Sequence, residues 1–378
     1  MILDEKYIKF RESVRDFAEK EVAPRAKELD MKDQFPWDLV KRMAELKLLA
    51  LYVPEEYGGA GLDVLSYALA VEEIGRICGS TGIFLAAHSS LGVYPLFVAG
   101  SEEQKQKYLI PLARGEKIGS FGLTEPNAGS DAAGTQTTAK LVGDHYVVNG
   151  TKRFITSGGV ADIIVFTATK DPAMGYAGIS AFIVEKGTPG FSAGKEEDKL
   201  GLRGSITSEL IFEDCKIPRE NLLGKEGEGF KVFMQTLDGG RISIGALALG
   251  IAQGALDAST DFVRKHTKNG KPLYKMQAVQ DMIAQIATEI EAARLLIYKA
   301  AMLKDRGLPY TKEAAMGKYY ASHIGMRATS TAITIHGMMG LTKDYPVERF
   351  MRDEKLMEIG EGTSEIQKIV IARQILGK

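Results

Sequence analysis

Ile359-Gly360-Glu361-Gly362-Thr363-Ser364-Glu365-Ile366-Gln367 sets one carboxylate between two glycines, just ahead of a helix start. Glycine lacks a β-carbon, so Gly360 and Gly362 permit unusual dihedrals and let another molecule approach the backbone, while Thr363 or Ser364 can cap the following helix. A base that must reach a substrate past bare backbone would be placed this way. A solvated Glu361 in a capping turn would have the same sequence. A second segment, Phe121-Gly122-Leu123-Thr124-Glu125-Pro126-Asn127-Ala128-Gly129-Ser130-Asp131, reads as a strand end delivering a hydroxyl, then a turn exposing backbone N–H groups, then Ser130 and Asp131. It suits a polar ligand or phosphate, and a plain turn fits it equally. In Phe154-Ile155-Thr156-Ser157 an aromatic alternates with a hydroxyl on one strand face, which could flank and hydrogen-bond a flat ring. No Gly-x-Gly-x-x-Gly opens a βαβ unit, and Gly270-Lys271 runs into Pro272, so neither dinucleotide fingerprint nor P-loop is supported.

Three regions must position these residues, and together they imply an α+β chain. Residues 1–117 carry apolar side chains at helical spacing (Ile8, Val14, Phe17, Val22; Leu39, Met43, Leu46, Leu49), an all-α domain of four or five helices. Within it, residues 79–99 contain no Lys, Arg, Asp or Glu, as expected for a helix buried on most sides, in the core or as the wall of an apolar pocket. Residues 118–229 hold short β-branched and aromatic runs separated by Asn149-Gly150, Gly158-Gly159 and Pro189-Gly190, the pattern of an antiparallel β-barrel or sandwich. Residues 230–378 return to long helical segments joined by short turns, a four-helix bundle that carries Glu361. Its run Gly245-Ala246-Leu247-Ala248-Leu249-Gly250 is rich in small residues, suited to close helix packing within the chain or across subunits.

Composition narrows the function classes. A chain of 378 residues with formal net charge -1 and no Lys/Arg stripe offers no electrostatic case for nucleic acid. Cys78 and Cys215 lack close cysteine or histidine partners, which argues against a disulfide scaffold or metal site. Residues 1–30 alternate charge and apolarity without a signal peptide's apolar core, and no membrane-spanning run is expected, so the reading is cytoplasmic.

These segments, in this helix, strand, helix order, closely resemble the acyl-CoA dehydrogenase family, in particular its short-chain (butyryl-CoA type) members. The resemblance covers nearly the whole chain. It implies FAD as cofactor, an acyl-CoA substrate oxidised between its α and β carbons, a homotetramer built as a dimer of dimers, and an electron-transferring flavoprotein as partner. Glu361 matches the base that removes the α-proton while the β-hydrogen leaves as hydride to the flavin. Phe121, Leu123, Thr124, Phe154, Ile155 and Thr156 match flavin contacts, and Ser130 lies where cofactor and CoA meet. Asp238, Arg241 and Gly362 match substrate-binding positions. Thr363, Ser364 and Glu365 match cofactor contacts at a helix start, and His266, Lys268, Gln277 and Gly337 match positions near the FAD adenosine end. Gly240 stands where isovaleryl-type members carry their base, so Glu361 has no rival there.

The chain departs from the family pattern at Gly360, where a tyrosine usually precedes the base, at His266-Thr267-Lys268-Asn269-Gly270, where an Arg-x-x-Phe-Gly turn is usual, and at Gly337-Met338, where a second glycine is usual. The first implies a wider acyl pocket; the other two imply altered FAD retention, with Met338 crowding the adenosine. An enoyl-CoA reductase running in reverse with a flavoprotein partner, or a non-catalytic assembly subunit of the same fold, are the alternatives.

Overall fold

The computed structural model describes residues 3–377. Helical periodicity in the first region produces α1 (Glu5–Phe17), α2 (Ala23–Lys32), α3 (Trp37–Glu45), α4 (Val64–Gly75), α5 (Gly79–Ala87), α6 (Tyr94–Ala99), α7 (Glu102–Gln104) and α8 (Ile110–Ala113). π-helical turns at Ala18–Val22, His88–Val93 and Lys105–Leu109 fuse α1 to α2, α5 to α6 and α7 to α8, so these eight segments make five continuous rods. Asp63 starts α4 by accepting from Ser66 N at 2.9 Å. The rod Gly79–Ala99 and the helix Gly229–Lys265 are each long and apolar enough to cross a membrane, contrary to the expectation of no such run. In both, 78% of the apolar window is buried inside the protein.

The middle region forms one eight-stranded sheet: β1 (Gly119–Gly122), β2 (Thr138–Val142), β3 (His145–Thr156), β4 (Ile163–Thr169), β5 (Ile179–Glu185), β6 (Phe191–Glu196), β7 (Thr207–Pro218) and β8 (Leu222–Leu223). The order is β6-β7-β3-β2-β4-β5-β8, with β1 added on β4. Most pairings are antiparallel as expected, but β1 runs parallel to β4, and β2 meets β4 in parallel at Thr138 and Thr169. The chain enters β1 directly from the helical region, so β1 has no hairpin partner and takes β4's free edge. Phe166 stacks on Phe212 at 4.5 Å in the core of this sheet.

The last region comprises α9 (Gly229–Lys265), α10 (Gln277–Asp305), α11 (Thr311–His336), α12 (Val347–Glu354) and α13 (Ser364–Leu376). The small residues of α9 are used within the chain. A Cβ on Gly250 would strike Glu72 O of α4, and one on Gly254 would strike Arg76 O. Buried Glu72 bolts α4 to α10 by accepting from Arg294 Nε at 3.0 Å and Tyr298 OH at 2.6 Å. Two other domains grip α12: Arg352 bonds Asp30 of α2 at 2.7 and 2.8 Å, and Asp353 accepts from Leu202 N, before β7, at 2.5 Å. These anchors fix the segment leading into the Glu361 turn.

Candidate active site

After the 3-10 turn Lys355–Glu358 the chain reverses through Glu361 and enters α13, whose first turn is capped by Thr363 Oγ1 accepting from Ile366 N at 3.3 Å. Glu361 has φ 51° and Gly362 φ 93°. A left-handed glutamate is uncommon and must be held by its surroundings. Two fully buried side chains do so: Lys318 of α11 donates from Nζ to Gly362 O at 2.7 Å, and Gln367 donates from Nε2 to Gly362 O at 2.9 Å and to Glu361 O at 3.3 Å.

This conformation folds the Glu361 side chain inward onto α9. A Cβ on Gly240 would run into Glu361 Oε2 and would lie 3.5 Å from Leu91, on the π turn of the first region. The residue keeps part of its surface open, but Oε2 is sealed and has no hydrogen-bond partner. Buried acceptors are almost always satisfied, so an orphan of this kind fits a group that awaits a ligand. Burial pushes the Glu361 carboxyl up to about 7, opposed by the charges of Lys318 and Arg241. Among the described residues no acceptor takes the Glu361 N–H.

Arg241 is buried beside this turn and pairs with Asp238, whose other oxygen accepts from Thr311 Oγ1 at 2.9 Å. Sequence reasoning passed over Lys304 here. Its ammonium lies 4.1 Å from the Tyr94 ring centre and 5.5 and 5.8 Å from those of Tyr310 and Tyr52, against the bare backbone of Gly239.

On the sheet side, Phe121 stacks on Phe233 of α9 at 4.0 Å, and Leu123 and Thr124 are half-buried behind it. The following loop is tied down by a buried ion pair that sequence reasoning also missed. Lys152 Nζ of β3 donates to Glu125 Oε1 at 2.7 Å, Thr167 Oγ1 at 3.1 Å and Leu123 O at 3.2 Å, while Glu125 accepts from Gln136 N and Thr137 N. Burial would raise the Glu125 carboxyl, but the Lys152 charge and these bonds hold it below its ordinary range. Ser130 at the tip is exposed.

Phe154 and Thr156 do not share a plain strand face as expected. The β3–β7 register shifts between Lys152 and Ile155, and Phe154 takes φ 57° there, so its ring stands 57% exposed while Ile155 turns into the core. Thr156 is half-buried, and its carbonyl accepts from Ser120 Oγ at 2.6 Å. Ser364 Oγ reaches Glu358 O at 3.5 Å, and Glu365 is exposed.

His266, Lys268, Gln277 and Gly337 gather elsewhere. His266 ends α9, about 37 Å along the helix from Arg241 at 1.5 Å per residue, too far to join one ring system in the same chain. Its ring stacks on Phe262 at 3.9 Å and Nδ1 meets Phe262 O at 2.8 Å, leaving Nε2 for any ligand. Lys268 lies on the exposed hairpin Thr267–Lys268 and Lys271–Pro272, Gln277 opens α10 at the surface, and Gly337 ends α11 with φ 61°. Met338 stands 80% exposed beside Gly337, at the position expected to meet the adenosine. An open groove lined by Asp30, Lys343 and Arg349 contains none of the expected site residues.

The residues present fit a flat cofactor with polar edges: a largely exposed Phe154 ring with the Arg153 guanidinium 4.9 Å from its centre, the half-buried Thr124 and Thr156, and a carboxyl oxygen left without a partner. Comparison with known proteins agrees. Residues 4–116, 120–215 and 227–376 match the acyl-CoA dehydrogenase N-terminal, middle and C-terminal domain models. The chain is 54% identical over 365 residues to a short-chain specific acyl-CoA dehydrogenase of Clostridium acetobutylicum, covering 97% of this chain and 96% of that one. The butyryl-CoA dehydrogenase structure from Megasphaera elsdenii superposes with TM-score 0.97 at 46% identity, over 100% of this chain and 99% of that one. A chain from a structure described as the electron transferring flavoprotein of Acidaminococcus fermentans, reported toward a mechanism of flavin-based electron bifurcation, gives 0.98 at 52% identity with complete coverage of both. Full-length likeness at this level, over a fold that sets the unpartnered Glu361 carboxylate against the glycine backbone of α9, leads to one conclusion: the chain belongs to the acyl-CoA dehydrogenase family, and it is an oxidoreductase resembling butyryl-CoA dehydrogenase.

Proposed function

We propose that this protein catalyses FAD-dependent α,β-dehydrogenation of a short-chain acyl-CoA to the trans-2-enoyl-CoA, as a homotetramer passing electrons to an electron-transferring flavoprotein. The observation that carries this reading is the sealed, unpartnered Oε2 of Glu361 against Gly240. A carboxylate held there takes the α-proton, and the free N–H of Glu361 donates to the thioester carbonyl as negative charge develops on it. Bound FAD would supply the acceptor for the β-hydride, with Thr124, Phe154 and Thr156 holding the ring. Asp238 and Arg241 line the CoA side. The test is anaerobic addition of butyryl-CoA to the purified flavoprotein: bleaching of the yellow flavin is expected, and a butyryl-CoA complex with unbleached flavin would refute the reading.

Glu361 must be ionised to accept a proton. With its carboxyl pushed up to about 7 from an ordinary 4.5, the rate of flavin reduction should be low in acid, rise through about pH 7 and then level off. A pH profile of single-turnover reduction flat from pH 5.5 to 8.5 would contradict this.

Gly360 widens the substrate side of the turn. A Cβ there meets nothing nearer than Leu356 at 3.5 Å, so a side chain is sterically admissible. Gly360→Tyr should therefore fold and keep its flavin while losing tolerance for branching. The kcat/KM ratio of butyryl-CoA to isobutyryl-CoA should rise by roughly tenfold or more, and an unchanged ratio would place position 360 away from the acyl group.

A further inference from the structure

The most heavily buried charge near the Glu361 turn, Lys318, has no place in the reaction as set out above. Lys318 is fully buried in α11, where a Cβ on Gly245 of α9 would come within 3.3 Å of its Cα, so the two helices leave it little freedom. Lysine is almost never buried to this degree without a carboxylate partner, because stripping an ammonium of water costs several kcal/mol. Yet among the described residues Lys318 makes no ion pair, and its one hydrogen bond goes to Gly362 O at 2.7 Å.

We infer that Lys318 is a positioning residue for the base: its ammonium grips the carbonyl after Glu361, keeps that residue left-handed with its carboxylate turned onto Gly240, and directs a positive charge at the turn. The inference rests on reading Glu361 as the base. Gln367 is the second arm of the clamp, donating to the same carbonyl and to that of Glu361. Both arms grip backbone rather than the carboxylate, so they orient the acid without occupying its oxygens. That is what a group needs if it must stay free to take a proton.

Among the described residues, the other charged groups around Lys318 form no ion pair with it. Arg241 faces it from α9, Glu354 from the end of α12, Glu358 from the turn beyond, where it pairs with Lys355, and the exposed Glu365 from the first turn of α13. Glu354 is completely buried, both its oxygens lack partners, and burial holds its carboxyl well above the usual range. Tyr67 of α4 also feels Glu361, and burial keeps its hydroxyl neutral. Burial draws Lys318 itself down to about 8, with Glu361 the foremost charge opposing that fall, so it is still mostly charged at pH 7.

The experiment compares single-turnover flavin reduction against pH in the holoenzyme and in Lys318→Met, Lys318→Gln and Glu361→Gln, with flavin content and butyryl-CoA affinity measured in each. Lys318→Met should slow reduction roughly 10- to 100-fold at pH 7 and move the acid-limb midpoint up by about one unit or more, with affinity changed less than about threefold. Lys318→Gln retains a donor for Gly362 O but no charge. It should show the same upward midpoint shift with a rate at high pH nearer the parent's, and it decides the matter if the Met variant does not hold flavin. An unshifted midpoint in Lys318→Gln, with Glu361→Gln inactive, overturns the inference and leaves the base intact. Unimpaired reduction in Glu361→Gln would instead overturn the assignment of the base.

Discussion

Glu361→Gln should bind butyryl-CoA about as tightly as the parent while flavin reduction falls by about 10³-fold or more, because the amide keeps the shape of the acid but cannot accept the α-proton. The expected size follows from the surroundings. The carboxylate has no hydrogen-bond partner to lose, so its replacement disturbs no network, and Gly240 leaves no second acid on α9 to take over. Rapid-mixing absorbance of the flavin measures the rate, and equilibrium titration measures the affinity. A fall in affinity matching the fall in rate would mean that Glu361 serves binding rather than proton transfer.

The second large effect is structural. Lys152→Met should cost about 3 to 5 kcal/mol of stability, because it leaves Glu125 in a buried site without its counter-charge. Both groups are within 5% of complete burial, and Glu125 would keep only the Gln136 and Thr137 N–H groups. The double variant Glu125→Leu with Lys152→Met should recover much of that loss, since a pair of apolar groups avoids the stranded charge. Thermal and denaturant unfolding of the flavin-loaded protein test this. A double variant less stable than Lys152→Met alone would show that the pair stabilises by more than mutual neutralisation. Because Glu125 anchors the loop carrying Thr124 and Ser130, Lys152→Met should also loosen flavin, read as increased flavin loss on gel filtration.

Glu361 was legible as a candidate because two glycines and a helix cap are local features, and local features survive in one dimension. Thr363 acts as the cap that the spacing implied. The paired faces of β3 were misread because a bulge is set by the partner strand: the shift against β7 turns Phe154 outward and Ile155 inward, and neither residue's type reveals that. Lys152 and Lys318 look like ordinary surface lysines in strand and helix. Their burial depends on Glu125 in one case and on the Gly362 carbonyl in the other, both distant along the chain.

From residue order alone came the three-region plan, the acidic turn, the hydroxyl-bearing segments and the family resemblance, all of which depend on type, period and short spacing. Tertiary structure alone decided that the backbone of Gly240 lies against the acid, that Lys318 and Gln367 clamp its backbone, and that His266 and Lys268 sit at the far end of α9. The division is physical. Propensity and pattern act between near neighbours, whereas desolvation, and with it the proton affinity of a carboxylate, depends on every element that closes around the group.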